Sequence, residues 1–582
     1  MGEKEEDKII IAEIGAAKTK AILIKAKEGS FILEAEAEAP TTVEPPELDV
    51  TKGINTVVRR LEKESGETLW GDKGPKVKLF CSSGDTGGLY MVVAGIISMI
   101  SKESAERAAL GAGAHLLDAF SKDDKRPAYT LVEAMRSTRP DIFLLAGGTD
   151  GGAVSQVLEL ATIIAKSDIR PRFGEGYKLP VIFAGNVEAR KEVSETLSED
   201  KYATTTVPNV RPDIDRENLG PAKEAIYDSY MEHVIVHAPG YDKLAHMVKG
   251  QIIPSQAAIG KALYSYAQNR GINLLAVDVG SSTTDVYSVY NGVFNRSLNA
   301  DVGLTYGILN VFKTAGVDAV SRWLPYELNE REVRNIAANL MVLEPEKLTP
   351  EEEEVRNAVA REAIKLSVEL HKRIASRLKG IVIRREIADT FSQNIEETYV
   401  DMAKTQAIIA RGRAFEGPEE TSALILLDAL EPVGITQIMY DLESLVPHAG
   451  LLLDYDKDAA IKLLSERILK PAGTFICPRG KTDSDGALTI RLKRNTGSLV
   501  SEVVPSGEIK AISLGVEETA ELEAIPSGRL DLGRGRGKTV KSIVTGGSLG
   551  LVIDARGRPL PPPKRDQQQK WLLALAAAKG GA

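Results

Sequence analysis

Two stretches far apart in the chain constrain the fold most. Residues 274–289 read LLAVDVGSSTTDVYSV, and residues 9–24 read IIIAEIGAAKTKAILI. In each, an apolar run takes up a carboxylate, Asp278 or Glu13, just before a tight glycine turn, and a second run then leads away. Runs of this kind on either side of Gly280 and Gly15 predict two β-hairpins. A carboxylate is unfavourable in a buried strand unless it is paired or has a ligand.

Phosphate chemistry supplies such a ligand. Backbone N–H groups in a turn of small residues converge on phosphate oxygens, and hydroxyls add donors. Gly280, Ser281, Ser282 and Thr283 form such a turn. Polyphosphate brings Mg2+, which takes one or two protein carboxylates together with water. Asp278 and Glu13 are the candidate metal carboxylates, directly or through water. Lys20 and Thr19 are candidates to offset phosphate charge and donate hydrogen bonds, and Asp285 is a further candidate. On this view the two hairpins hold a nucleotide phosphate and its metal between them. The same pattern also describes an ordinary hairpin whose Asp, Gly and Ser residues satisfy their own backbone, so both descriptions stay open here. A Walker-type Gly-Lys-Ser/Thr loop with suitable glycine spacing is not found.

Around the hairpins the chain alternates strand and helix. Residues 9–40 read as a β-meander and 53–65 as a helix. From 76 to 170, strands end in glycine-rich turns: SSGDTGG (82–88) and AGGTDGG (146–152), with FAGN (183–186) repeating the design. That is the pattern of βα units on a parallel sheet. These turns are ligand-facing or merely tight; Asp85 and Asp150 are the residues to watch, because α/β sheets bind ligands at strand carboxyl ends. The stretch between them, SAERAALGAGAHLLDAF, reads as helix. Residues 254–271 form a helix that starts at Pro254 and stops at Gly271. Segments 303–316 and 327–380 read as mainly helical. Past about residue 470, short strands punctuated by Gly and Pro suggest a separate small barrel or sandwich. The expected domains are therefore 1–253 with an inserted α/β segment, 254–470, a β-rich domain at 471–560, and a proline-rich linker and tail at 561–582.

Composition narrows the partners. Lys plus Arg is 73 and Asp plus Glu is 82, a net charge of −9, which argues against a general nucleic-acid binder. No apolar run of about 18 residues predicts a membrane span. The mixed charges of Lys4–Lys8 are not followed by a long apolar core, so no signal peptide is expected. Cys81 and Cys477 are the two cysteines; a reducing cytoplasm fits them. His233 and His237 are four apart, as on one helix face, and such a pair is more often structural than metal-binding.

The ordered set AEIGAAKTK, CSSGDTGGLYMVV, DIFLLAGGTDGG, VIFAGN, AVDVGSSTTDVYSV and GLLLDYDKDAA, over roughly residues 8–470, resembles the GlmL/MutL family. These are accessory proteins associated with cobalamin-dependent glutamate mutase, in the superfamily of actin, sugar kinases and heat-shock chaperones. The resemblance implies an α/β fold: two actin-like (ribonuclease H-like) ATPase domains facing a nucleotide cleft, followed by the small β domain. It implies ATP with Mg2+ as cofactors and cobalamin-dependent mutase subunits as partners, and a chaperone-like role in reactivating the mutase. No cobalamin site is expected in this chain, and self-association stays open. By the resemblance Glu13, Gly15, Thr19 and Lys20 belong to the first phosphate loop. Gly280, Ser281, Ser282, Thr283, Thr284 and Asp285 belong with Asp278 to the second, and Glu13 and Asp278 carry the catalytic role.

Two departures stand out. At the family's adenosine motif the chain has AIIARGRAFEGPEE, where Gly412 alone survives, between Arg411 and Arg413. Ala16 replaces the hydroxyl residue usual after the first glycine. The alternative VTGGSLG at 544–550 is followed by a strand-like run, so Gly546 and Gly547 read as a turn or bulge. ATP hydrolysis therefore stays open. A degenerate actin-like scaffold that binds a partner without hydrolysis is one alternative. A small-molecule kinase is another, and would need Asp85 or Asp150 as general base.

Overall fold

The computed structural model describes residues 8–577 except 16–17, 28–29, 73, 85–88, 173, 175, 235–236, 343–346, 379–397, 482–487, 517, 562 and 564–566. Asp85 and Ala16 lie outside the described residues. The chain divides into two compact units. Unit 1 takes the chain up to Ser265 together with Val446–Arg467; unit 2 takes Tyr266–Ser376, Thr398–Leu445 and everything from Ile468 on.

Unit 1 has strands β1 (Lys8–Ile14), β2 (Lys18–Lys27), β3 (Ser30–Pro40), β4 (Lys78–Ser83), β5 (Tyr90–Gly95), β6 (His115–Ser121), β7 (Ile142–Leu145), β8 (Leu179–Phe183), β9 (Tyr202–Thr206) and β10 (Ile253–Pro254). Its helices are α1 (Val50–Ser65), α2 (Glu103–Gly111), α3 (Ala128–Thr138), α4 (Val154–Ser167), α5 (Arg190–Thr196), α6 (Gly220–His233), α7 (Tyr241–Met247) and α8 (Ser255–Arg270), which runs on into unit 2. One sheet has the order β10-β4-β1-β2-β3: an antiparallel meander, then strands parallel to β1. Helix α1 covers it because Val50, Ile54, Val57, Val58 and Leu61 recur at helical spacing and are all buried. Asp49 caps its start by accepting from Thr51 N (3.0 Å), and left-handed Gly66 ends it.

The second sheet of unit 1 is wholly parallel, in the order β9-β8-β7-β5-β6. Helices α2 and α6 pack on the face it shares with the first sheet's core, and α3, α4 and α5 pack on the other. Residues 104–120, expected as one helix, divide here: α2 ends at Gly111, Gly113 takes φ +89°, and His115–Ser121 is strand β6. This is the edge strand of its sheet and only partly buried, with Leu117 41% exposed, so HLLDAFS shows no clean alternation and periodicity alone does not separate it from helix.

Unit 2 holds β11 (Leu274–Val279), β12 (Thr284–Tyr290), β13 (Val293–Asn299), β14 (Ala407–Gly412), β15 (Gly434–Asp441), β16 (Lys470–Cys477), β17 (Leu488–Arg494), β18 (Leu499–Val504), β19 (Ile509–Ile512), β20 (Thr519–Pro526), β21 (Val540–Thr545) and β22 (Leu551–Asp554). The eight-stranded sheet runs β13-β12-β11-β14-β15-β16-β22-β19. Its first five strands repeat the meander-plus-two-parallel order of unit 1's first sheet. The α/β class and this repeated, ribonuclease H-like strand order are those the sequence led us to expect. Helices α9 (Ile308–Ala315), α10 (Val317–Ser321), α11 (Glu330–Val342), α12 (Pro350–Ile374) and α13 (Glu419–Leu430) build one core with it.

The expected domain boundaries do not follow the units. Helices α14 (Val446–Leu452) and α15 (Lys457–Leu463) group with unit 1, where α14 packs on β1 and β4 and Asp454 pairs with Lys261 (2.7 Å). The C-terminal β region is not a free module. Strands β16, β22 and β19 extend the main sheet, and the antiparallel sheet β18-β17-β20-β21 packs against them through a shared apolar core. The reason is in the residues: β22 (LVID) and the end of β16 are buried on both faces rather than alternating. Gly546 and Gly547 lie in the connection from β21 to β22, pressed on backbone at 471–473 and 514–515. The tail also docks. Helix α16 (Gln567–Ala576) buries Trp571 and Leu575, with Trp571 over the Arg556 guanidinium at 4.4 Å. Cys81 and Cys477 are buried in the cores of units 1 and 2. Among the described residues no helix is long and apolar enough to cross a membrane.

Candidate functional site

The hairpin of unit 1 pairs Glu13 with Lys20 and Ile14 with Thr19, and Gly15 N donates to Lys18 O (2.9 Å) to close the turn. Glu13 also lies beside Ser82 of β4. Thr19 is fully buried. Thr41 donates to Gly15 O (2.8 Å), so the Thr19 hydroxyl donates to Thr41 Oγ1 (3.0 Å). Thr19 therefore braces the turn from within, while Glu13 and Lys20 are half-buried.

The hairpin of unit 2 repeats this at matching positions. Asp278 pairs with Asp285 and Val279 with Thr284, and Gly280 N donates to Thr283 O (2.9 Å). Thr284 is fully buried and donates to Val302 O (2.8 Å), as Thr19 braces its own turn. Ser281, Ser282 and Thr283 stay half-exposed. The segment at 304–307 braces the turn from outside, with Leu304 N on Gly280 O (3.1 Å) and Thr305 N on Ser281 O (2.9 Å).

Gly412 ends β14 at φ +90°, and a Cβ there would lie 2.5 Å from Val279 O and 2.6 Å from Asp278 Oδ1. Its lack of a side chain lets β11 and β14 close together. Arg411 is buried and Arg413 is exposed. Arg411 Nη1 donates to Asp278 Oδ2 (2.6 Å), and its Nε lies 3.2 Å from Asp441 Oδ2 at the end of β15. Burial pushes the Asp278 carboxyl up, Arg411 opposes this, and Asp285 adds to the rise. Asp285 is held by Arg296, whose Nε and Nη2 lie 2.8 and 2.6 Å from Oδ1.

These carboxylates do not fit a directly bound Mg2+. That ion needs oxygens free to face it in near-octahedral geometry, and here Asp278 and Asp285 each accept from a guanidinium. Among the described residues no three His, Cys, Asp or Glu side chains converge as a metal site. His233 ends α6, and His237 lies beyond that helix against the Tyr177 ring (4.2 Å). The kinase alternative gains nothing from Asp150: its Oδ1 accepts from Val187 N (3.1 Å) and Asn209 Nδ2 (3.0 Å), tying three loops together.

Comparison with known proteins identifies the lineage. A family profile described as MutL protein matches residues 9–468. The chain belongs to the MutL family. It is 30% identical over 388 residues to Protein MutL of Clostridium tetanomorphum, covering 63% of this chain and 79% of that protein. Solved structures overlap more loosely. A glycerol dehydratase reactivase gives a TM-score of 0.30 at 10% identity, over 77% of this chain and 100% of the other. The activator of the 2-hydroxyisocaproyl-CoA dehydratase from Clostridium difficile, with bound ADPNP, gives 0.26 at 11%, over 79% and 97%.

Within this MutL-family chain, sequence reasoning missed three side chains. Arg296 and Asp441 complete the charge pairing of the second hairpin, and Thr41 locks the first. Arg296 carried a signal, being a lone cation within the strand-like FNRSLN. Asp441 carried none locally, because its partnership with Arg411 depends on the β14–β15 register.

Proposed function

We propose that this MutL-family chain is an ATP-dependent accessory factor that reactivates a cobalamin-dependent mutase of the glutamate mutase type. The observation that supports it most is the repeated hairpin: one turn closure and one pairing register, at the same place in two sheets of the same strand order, in a chain of this family. The half-exposed turn of Gly280, Ser281, Ser282 and Thr283 offers N–H and hydroxyl donors for phosphate oxygens. Lys20 and Gly15 serve the same end in unit 1. The mutase subunits are the partners, in the cytoplasm.

Calorimetric titration of the full chain with ATP and with ADP, each with and without Mg2+, tests it. Saturable heat is expected, and Thr283→Val with Lys20→Met should weaken binding by about tenfold or more. ATP should restore activity to a cobalamin-inactivated mutase only when the chain is present. A second proposal, a scaffold that binds its partner without hydrolysing ATP, is favoured by the Arg411–Asp278–Asp441 arrangement, which places a guanidinium where a metal would be needed. No heat with either nucleotide, with mutase binding retained, would establish that scaffold instead.

A further inference from the structure

The parallel sheet of unit 1 contains a different kind of position from the hairpins. Its chain leaves β5 through α2 to reach β6 on one side, and leaves β7 through α4 to reach β8 on the other. Numbered along the chain, the strand order is 2-1-3-4-5. The loops after β5 and β7 therefore part at the carboxyl end of the sheet, and such a switch point is where doubly wound sheets bind ligands.

A cavity of about 220 Å3 lies between those two loops. Ile96, Ile97 and Ile100 wall it from the β5 side, Thr149 from the β7 side, and Arg211 and Ile214 from the segment after β9. The walls are held in advance of any ligand. A Cβ on Gly147 would lie 2.7 Å from Ile96 Cγ1, so only glycine there lets Ile96 cross the end of β7. Ser101 Oγ accepts from Ile96 N (2.9 Å) and Ile97 N (3.1 Å), fixing the β5 loop. Asp150 fixes the β7 loop, through the bonds already described. Arg211 is 1% exposed and its Nε donates to Ile214 O (3.0 Å). A preformed, mainly apolar concavity with a few placed polar groups is the usual form of a small-molecule site.

Size and charge set the ligand's chemistry. An apolar cavity of about 150 Å3 accommodates benzene, so this one suits a single ring with one or two substituents and is too small for a nucleotide or a corrin. Among the described residues that line it there is no carboxylate and one charged group, Arg211, whose Nη1 lies 3.6 Å from Glu217 Oε1 outside the lining. An ammonium ligand would find no counter-charge in the walls. Ile97 and Ile214 are 45% and 44% exposed, a water-facing apolar surface of the kind a ligand's hydrocarbon covers.

We propose that the switch-point cavity is a second ligand site, taking a small neutral or monoanionic molecule with a branched or ring-shaped apolar body. It is separate from the nucleotide chemistry proposed above and does not rest on it. Benzoate and 3-methylbutanoate are suitable probes, with benzylamine as the cationic control, followed through the isoleucine methyl resonances of the full-length chain. Saturable shifts at Ile96, Ile97, Ile100 and Ile214 are expected for at least one acid below about 10 mM, and none for the amine. Ile100→Trp, which fills the cavity, should weaken the acid at least tenfold. Ile97→Glu, at an exposed position that folding tolerates, should weaken it equally and admit benzylamine. Heats of ATP binding should be unchanged in both variants. No saturable shift with either acid, equal binding of acid and amine by the unmodified chain, or acid affinity unaltered in Ile97→Glu would each overturn the proposal.

Discussion

In the hairpin of unit 1 the residue opposite Glu13 is Lys20; in that of unit 2 the residue opposite Asp278 is Asp285. Nearly everything else is shared. Each turn closes with a glycine N–H on the carbonyl three residues on, and each return strand carries near its start a buried threonine that braces the turn. Like charges directly opposite one another destabilise a strand pair, and unlike charges support it. Unit 1 meets this within the hairpin. Unit 2 draws on neighbouring strands, Arg296 from β13 and Arg411 from β14. One backbone design thus exists in a self-compensated form and in a form whose charge state depends on the rest of its sheet.

The largest effect should come from removing the more buried cation. Asp285 and Arg296 are 4% and 2% exposed, and breaking a buried pair from one side leaves an uncompensated charge. Arg296→Met should lower stability by about 3–5 kcal/mol in chemical denaturation, and adding Asp285→Asn should recover most of it. A loss under about 1 kcal/mol would place this pair with ordinary surface bridges and erase the contrast. Arg411→Met comes next, at about 2–3 kcal/mol, because the Asp278 side chain keeps 21% exposure while Asp441 keeps none. It also leaves two carboxylates without their guanidinium. Mg2+ should therefore raise the melting temperature of Arg411→Met and leave that of the unmodified chain unaltered.

Such dependence on neighbours explains what the amino-acid sequence disclosed and what it withheld. The hairpins were legible because period-two patterning and a glycine turn are local properties. Thr19 and Thr284 were read as ligand donors although Thr19 shares strand parity with the core residues Ala21 and Leu23, and Thr284 with Val286. Arg411 was visible as a cation at the adenosine position. Its neutralisation by Asp278 and Asp441 was not, because parallel registers join residues some 30 to 130 positions apart. Strand β6 was misjudged because HLLDAFS, an edge strand with Leu117 41% exposed, lacks the alternation by which strands are recognised. Strands β16 and β22 were set in a separate domain because the sheet neighbours that bury both their faces are distant in the chain.

Protonation gives a third, smaller effect confined to unit 2. His371 of α12 is fully buried between two hydroxyls of the meander, Nδ1 at 2.9 Å from Ser297 Oγ and Nε2 at 2.8 Å from Ser288 Oγ. Burial lowers its pKa from 6.5 to about 3. The unfolded chain therefore takes up a proton first, so the stability His371 supports is complete above about pH 6.5 and is lost as pH falls toward 3. Between pH 7 and 5 that loss should be about 2 kcal/mol. His371→Gln keeps hydrogen-bonding groups for both serines without titrating, and its denaturation midpoints should be flatter across this interval. An identical slope in the variant would show that acid sensitivity arises elsewhere.

The smallest expected effect is the one on which the contrast turns. Lys20 is half-buried on β2, opposite Glu13, and a cross-strand pair of opposite charges contributes about 0.2–1 kcal/mol. Lys20→Met should fall within that range, and raising the ionic strength should shrink it further, because water and salt reach the pair. Arg296→Met should respond little to salt, its partners being out of water. If Lys20→Met instead cost as much as Arg296→Met and were equally indifferent to salt, the two hairpins would be alike in energy as well as in backbone. Compensation within the hairpin would then be no weaker a tie than compensation from the sheet.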